Sequence, residues 1–84
     1  MPTDGNDEVT DRDVVQAAAD AAENVIFSRL SATDVQDFDV TVTFEDRVLE
    51  VDVYLDAPEA DEDADRIADD AALAARAAVD QLLG

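Results

Sequence analysis

The chain has 84 residues, of which 23 are Asp or Glu and five are Arg, and with no Lys its formal net charge is −18. The absence of His and Cys excludes disulfides, argues against a structural zinc site, and removes the commonest catalytic base and the best nucleophile. With two glycines and no basic patch, the sequence also argues against phosphate-binding loops and nucleic-acid binding.

The acidity indicates the surroundings in which the chain works. In dilute buffer, so much like charge pushes the compact state apart, whereas at molar salt the Debye length falls to about 3 Å and screens the repulsion. Because 48% of the residues are apolar and follow periodic patterns, we interpret the charge as halophilic adaptation to a salt-rich cytoplasm rather than as disorder. The N-terminus resembles no signal peptide, and no apolar run reaches the ~20 residues of a membrane span, so we expect a cytoplasmic protein without membrane contact.

A single domain is expected over residues 1–84, with residues 1–6 as a disordered tail. The first helix is predicted to run from Asp7 or Thr10 to Leu30, because Thr10 and Asp13 have the spacing of a capping box. Its apolar stripe, predicted from the spacing of three and four residues, comprises Val15, Ala18, Ala22, Val25, Ile26 and Arg29-Leu30, and it is widened by Val14 and Ala21.

Two runs of alternating apolar and polar residues in the middle of the chain predict a β-hairpin. When the turn is placed at Asp46 and Arg47, a single register brings all eight apolar residues to one face. In that register Phe38, Val40, Val42 and Phe44 lie opposite Leu55, Val53, Val51 and Leu49. A two-residue turn favours Gly at the place of Arg47, so we expect a longer loop or a mildly strained one.

The second helix is predicted from Asp61 or Glu62 to Leu83, after Pro58 has ended the second strand. Its apolar stripe is rich in alanine and comprises Ala64, Ile67, Ala68, Ala71, Ala74, Ala75, Ala78 and Leu82. The predicted fold class is therefore α+β, an α-β-β-α unit in which an antiparallel β-hairpin carries two helices packed on one face.

The densest acidic cluster, residues 61–65, resembles the start of a calcium loop at Asp61, Asp63 and Asp65. The resemblance ends there, because Arg66 stands where such a loop needs Gly and Ala72 where it needs Glu. We interpret these acids as caps and solvating groups of the second helix, the alternative being a weak, nonspecific site for Mg²⁺, Na⁺ or K⁺. The acids of the strands alternate outward into solvent, so no catalytic, cofactor-binding or metal-binding residue is predicted, and the chain is not expected to be an enzyme.

The search for function therefore moves to the surface. Tyr54 lies on the polar face of the second strand, and Val48 and Leu73 are apolar residues off the main stripes, so these three are candidate interface residues. The unpaired strand edges favour a homodimer that joins two hairpins into a four-stranded sheet, the alternative being a monomer whose acidic edges repel. The predicted function is a non-enzymatic protein-interaction module; the alternative is a small accessory or ligand-binding protein using the sheet face around Tyr54.

The chain also resembles a known family across most of its length, from Val14 to Leu83. The resemblance is to short archaeal proteins of unknown function, with halophilic members that share the order helix, hairpin, helix. It is carried by the segments AADAAENVIFSRL, DFDVTVTFEDRVLEVDVYLDAP and ADRIADDAALAARAAVDQLL, most specifically by FEDRVLEVDVYL. Arg47 stands where the family pattern has Gly, which affects only the turn geometry. The resemblance implies no activity, cofactor or catalytic residue.

Overall fold

A computed structural model describes residues 9–60 and 62–84 of the chain. It contains helix α1 (Asp11–Arg29), strand β1 (Asp37–Glu45), strand β2 (Val48–Asp56) and helix α2 (Ala64–Leu83). The strands pair in an antiparallel, two-stranded sheet, and both helices pack on its apolar face, α1 over β1 and α2 over β2. The predicted α+β fold with its α-β-β-α order is confirmed, whereas the predicted tail lies outside the described residues.

The capping box places the start of α1 directly after Thr10. The backbone N–H of Thr10 donates to the Asp13 carboxylate at 3.2 Å, and the N–H of Asp13 donates to the Thr10 hydroxyl oxygen at 3.1 Å. These reciprocal bonds satisfy two donors at a helix end that lacks backbone partners for them. At the other end Leu30 is extended, so α1 stops at Arg29.

The hairpin has the register that the sequence predicts. Phe38 pairs with Leu55, and the pairing continues to Phe44 opposite Leu49. The turn contains only two residues, Asp46 and Arg47, whose φ angles are 51° and 64°. Both residues adopt the left-handed conformation that a type I′ turn requires. The loop is therefore short and strained rather than long, because this conformation costs an L-residue about 1–2 kcal/mol.

The core is centred on a seam between the two helices. Its buried residues recur every four positions: Val14, Ala18, Ala22 and Ile26 on α1, and Ile67, Ala71, Ala75 and Val79 on α2. Arg29, at the end of α1, contacts residues at the beginning of α2, so the helices run antiparallel. The alanines in the middle of one helix therefore face those of the other, and their small side chains let the backbones approach closely.

The predicted stripes differ from the buried residues at several positions. Val15, Ala21 and Val25 are only half-buried, because the buried positions of α1 repeat every four residues from Val14 to Ile26. Val79, which the predicted stripe omits, is buried at 2% exposure, whereas Leu82, which it includes, is 38% exposed. Leu82 lies three positions after Val79, off the spacing of four residues that the buried positions of α2 follow. The start of α2 is also later than predicted, since the Asp63 side chain caps it by accepting the Asp65 N–H at 3.0 Å.

We expect the substitution Ala22→Leu to lower the free energy of unfolding by about 1–3 kcal/mol, because added methylenes force the close-packed seam apart. Ala77→Leu is the matched control, since Ala77 is exposed on α2 and its replacement should change stability by less than about 0.5 kcal/mol. Denaturant unfolding in molar KCl measures both. Equal losses for the two variants would contradict the seam as the tightest part of the core.

We expect Arg47→Gly to raise the free energy of unfolding by about 1 kcal/mol, because Gly adopts a φ of 64° without a steric penalty. Arg47→Ala is the control that removes the same side chain but keeps the Cβ atom, and it should give no such gain. Thermal unfolding distinguishes them, since about 1 kcal/mol moves the Tm of a domain of this size by roughly 4–8 °C. A gain with Ala equal to that with Gly would locate the effect in the lost charge instead.

Candidate functional site

The three candidate interface residues do not form one surface. Val48 and Tyr54 are more than half exposed on the outer face of β2, and their six-residue separation places them about 20 Å apart along the strand. Leu73 is 64% exposed and lies two positions from both Ala71 and Ala75, so it projects from the side of α2 turned away from the core. The outer sheet face and the outer helix face lie on opposite sides of the two layers.

Tyr54 is the directly opposite partner of Asp39, as the predicted register requires. Depressions of about 180, 280 and 360 Å³ occur on the described surface, and Tyr54 lines none of them. The alternative of a ligand site around Tyr54 therefore gains no support from these cavities.

An aromatic groove lies at the junction of α1 and β1. The rings of Phe27 and Phe38 meet edge to face, with centroids 5.3 Å apart and planes at 84°. Phe27 is 41% exposed, and the depression of about 360 Å³ beside it is completed by Ala32, Val35, Gln36 and Asp37. Sequence reasoning assigned Phe27 to no stripe. The sequence feature that could have identified it is a large aromatic residue next to a buried position, on a helix otherwise rich in alanine.

Both outer edges of the hairpin lack a neighbouring strand among the described residues. The two-residue turn makes Glu45 and Val48 a hydrogen-bonded pair, and such pairs alternate along an antiparallel ladder. The outward-facing residues of β1 therefore bond to β2 through their backbone. The inner-facing apolar residues direct their N–H and C=O groups away from β2, toward the free edge: Phe38, Val40, Val42 and Phe44.

An ion-pair cluster links the end of α1 to the beginning of α2. One guanidinium nitrogen of Arg29 donates to the Asp70 carboxylate at 2.6 Å and to the Glu62 carboxylate at 3.1 Å. The pKa of Arg29 is raised above its ordinary value, mainly by the hydrogen bond to Asp70, while partial desolvation opposes the shift. A group whose pKa is raised on folding stabilises the folded state fully at pH values below its unfolded-state pKa. This stabilisation is lost only as the pH rises through its folded-state pKa. For Arg this window lies far above neutral pH.

The acids before α2 have structural roles where they are described. Asp63 caps the helix and Glu62 binds Arg29, whereas Asp61 lies outside the described residues. Within residues 9–60 and 62–84, no group of three or more Asp or Glu side chains is arranged to hold a metal ion. No helix in the same ranges combines the length and apolar character needed to cross a bilayer.

We expect Asp70→Asn to lower the Tm more than Asp69→Asn, although both substitutions remove one negative charge. Asp70 contacts Arg29, whereas the exposed Asp69 forms no ion pair within the described part of the chain. The difference in Tm between the two variants should become smaller from dilute to molar KCl, because salt screens partly exposed ion pairs. Thermal unfolding across a salt series measures this difference. Identical Tm values in dilute salt would contradict a stabilising contact.

Comparison with known proteins places the chain among archaeal relatives. An uncharacterised protein of the haloarchaeon Natronomonas pharaonis is 49% identical over 82 residues, which cover 98% of each chain. A crystal structure from Thermococcus onnurineus NA1 has a TM-score of 0.73 at 25% identity, covering 90% of this chain and 81% of that one. The solution structure of a hypothetical protein from Methanothermobacter thermautotrophicus has a TM-score of 0.67 at 30% identity and covers 90% of each. Residues 6–82 match the family described as protein of unknown function (DUF3194), and the chain belongs to that family.

Proposed function

We propose that the chain is a non-catalytic protein-interaction module that contacts its partner through the hairpin. The observation that carries the proposal is the pair of nine-residue strand edges with no neighbour among the described residues. Long edges of this kind are templates for pairing with another chain, and natural proteins usually protect them with charged side chains, Pro or bulges. Neither strand contains Lys or Pro, and the charges that both strands carry are all acidic, so they discourage pairing with an acidic strand and leave a basic one favoured.

The partial burial of the apolar sheet face supports the same proposal. Of its eight residues, only Leu55 is fully buried, at 8% exposure. The other seven are half-buried although they pack against the core: Phe38, Val40, Val42, Phe44, Leu49, Val51 and Val53. A partner seated along an edge would cover much of this remaining apolar area, and burial of apolar surface contributes about 25 cal/mol per Å².

Charge limits the conditions under which such contacts form. With a net charge of −18, the surface repels other acidic proteins in dilute solution and attracts basic ones. In the salt-rich cytoplasm that we propose as the setting, both long-range effects are screened, so apolar burial, backbone hydrogen bonds and charges in direct contact determine affinity. The haloarchaeal source of the Natronomonas relative supports this setting.

A homodimer is the specific form of this proposal that the sequence favours. Light scattering in molar KCl distinguishes it, because a dimer has twice the 9.0 kDa mass of a single chain. A mass near 9.0 kDa across the accessible concentration range would rule out the homodimer and leave a different protein as the partner.

We expect a stoichiometric partner to co-purify with a tagged chain when purification is carried out at native salt concentration. The control is a variant with Pro on both strand edges, Val42→Pro and Val51→Pro, whose folded state is checked by circular dichroism. Pro at these positions removes an outward N–H donor without breaking the hairpin ladder. The control should recover no partner. Equal recovery by the two proteins would place the contact away from the hairpin, and no partner with either would contradict the proposed function.

A further inference from the structure

We infer that the free edge of β1 binds an extended segment of a partner protein in which apolar side chains alternate with Lys or Arg. The inference rests on the proposed function and adds two things to it: which edge is used, and the chemistry of the segment that pairs with it.

Typical spacings predict a helix layer that is wider than the sheet beneath it. Paired strands lie about 4.8 Å apart, whereas packed helices lie about 8–10 Å apart. Because α1 packs on β1 and α2 packs on β2, we expect each helix axis to lie outward of its strand, with its flank over the strand edge. A third strand beside β1 would therefore lie under the flank of α1. Its inward side chains would be covered on one side by a helix that is already present.

The same overhang hinders a second copy of this chain. Two copies joined edge to edge through β1 would bring their two α1 helices into one space, because each overhangs the edge that the other approaches. A segment that brings no helix of its own on that face avoids this conflict. The geometry therefore favours a bare strand from a different protein, in the manner of β-augmentation.

The backbone of β1 provides the hydrogen bonds for such a strand. The N–H and C=O groups directed to the free edge belong to Phe38, Val40, Val42 and Phe44, and no described strand pairs with them. Backbone bonds of this kind give affinity without selecting a sequence, whereas pockets for alternate side chains provide specificity.

The aromatic groove distinguishes the β1 edge from the β2 edge. It is lined by Phe27 and by the first residues of β1, and no residue of β2 contributes to it. The groove therefore opens at the beginning of the β1 edge. Its volume of about 360 Å³ and its exposed Phe27 ring suit one large apolar side chain of a bound strand.

Charge determines which residues are favoured on the outward face of the bound segment. The outward side chains of β1 are Asp37, Asp39, Thr41, Thr43 and Glu45. Opposite charges directly across a sheet are stabilising and like charges are destabilising, so Lys or Arg is favoured at the outward positions of the partner. This chain has five scattered Arg residues and no segment with such alternation, so it does not supply the strand itself.

The probe for the test is a synthetic nine-residue peptide in which Val and Leu alternate with Lys and Arg, titrated in molar KCl. Amide hydrogen exchange reports which edge it occupies. We expect the amides of Val40, Val42 and Phe44 to exchange rapidly in the free chain and to slow by up to about 100-fold at 100 times the Kd. The amides of Leu49, Val51 and Val53, on the other edge, should be unchanged.

Matched variants at opposite positions of one cross-strand pair complete the test. Val42→Pro should weaken peptide binding by about tenfold or more, because it removes a donor at the centre of the β1 edge. Val51→Pro makes the same change on the β2 edge and should leave the Kd unchanged. Circular dichroism shows whether each variant folds, and the exchange pattern of the unsubstituted chain serves as the readout should one of them unfold.

Four results would overturn the inference. Two of them concern amide exchange on adding the peptide: no slowing at the β1 amides, or slowing at the β2 amides instead. The third is equal affinity for a peptide of the same composition whose apolar and basic residues stand in separate blocks. The fourth is a free protein of doubled mass whose β1 amides are already protected from exchange. The last would show that a second copy occupies the edge and would leave the proposed function intact. The proposed function fails separately, when no partner co-purifies and the mass is that of one chain.

Discussion

The close contact of alanines between α1 and α2 is the constraint on which the rest of the structure depends. Ala18 and Ala22 on one helix face Ala71 and Ala75 on the other. Larger residues close the seam at its two ends, Ile26 with Ile67 at one and Val14 with Val79 at the other. This arrangement holds the helices side by side over a sheet of only two strands. The free strand edges and the partial burial of the strand residues follow from the small number of strands, since each strand lacks a neighbour on one side within the part of the chain that the structure describes. The overhang of the helices follows from the difference in spacing between packed helices and paired strands.

The two-residue turn determines which backbone groups lie at the free edges of the strands. Because Asp46 and Arg47 alone join the strands, each β1 residue has a definite role as either a partner of β2 or a group at the free edge. The apolar positions are the ones left at the edge. Side chains that face the core and backbone groups that face outward therefore belong to the same residues. A strand added at that edge would use both properties together.

Local and periodic features were predictable from the sequence, and long-range ones were not. The capping box at Thr10 and the full hairpin register follow from short spacings, since a slip of one residue would turn the apolar row outward. The contact of Arg29 with Asp70 spans 41 positions and depends on where antiparallel helices meet, which no spacing rule contains. The same holds for Leu82, whose exposure depends on which positions of α2 meet α1. For the candidate site, the exposure of Tyr54 was predictable from alternation, whereas the groove at Phe27 requires the packing of α1 on β1.

The alanine seam also bears on how stability varies with temperature. The heat capacity change of unfolding grows with the apolar surface that becomes exposed, and it sets the curvature of the stability curve. Methyl groups in the middle of both helices expose less surface than leucines would. A chain built on such a seam should have a shallow stability curve, with a broad thermal range over which its free energy of unfolding changes little.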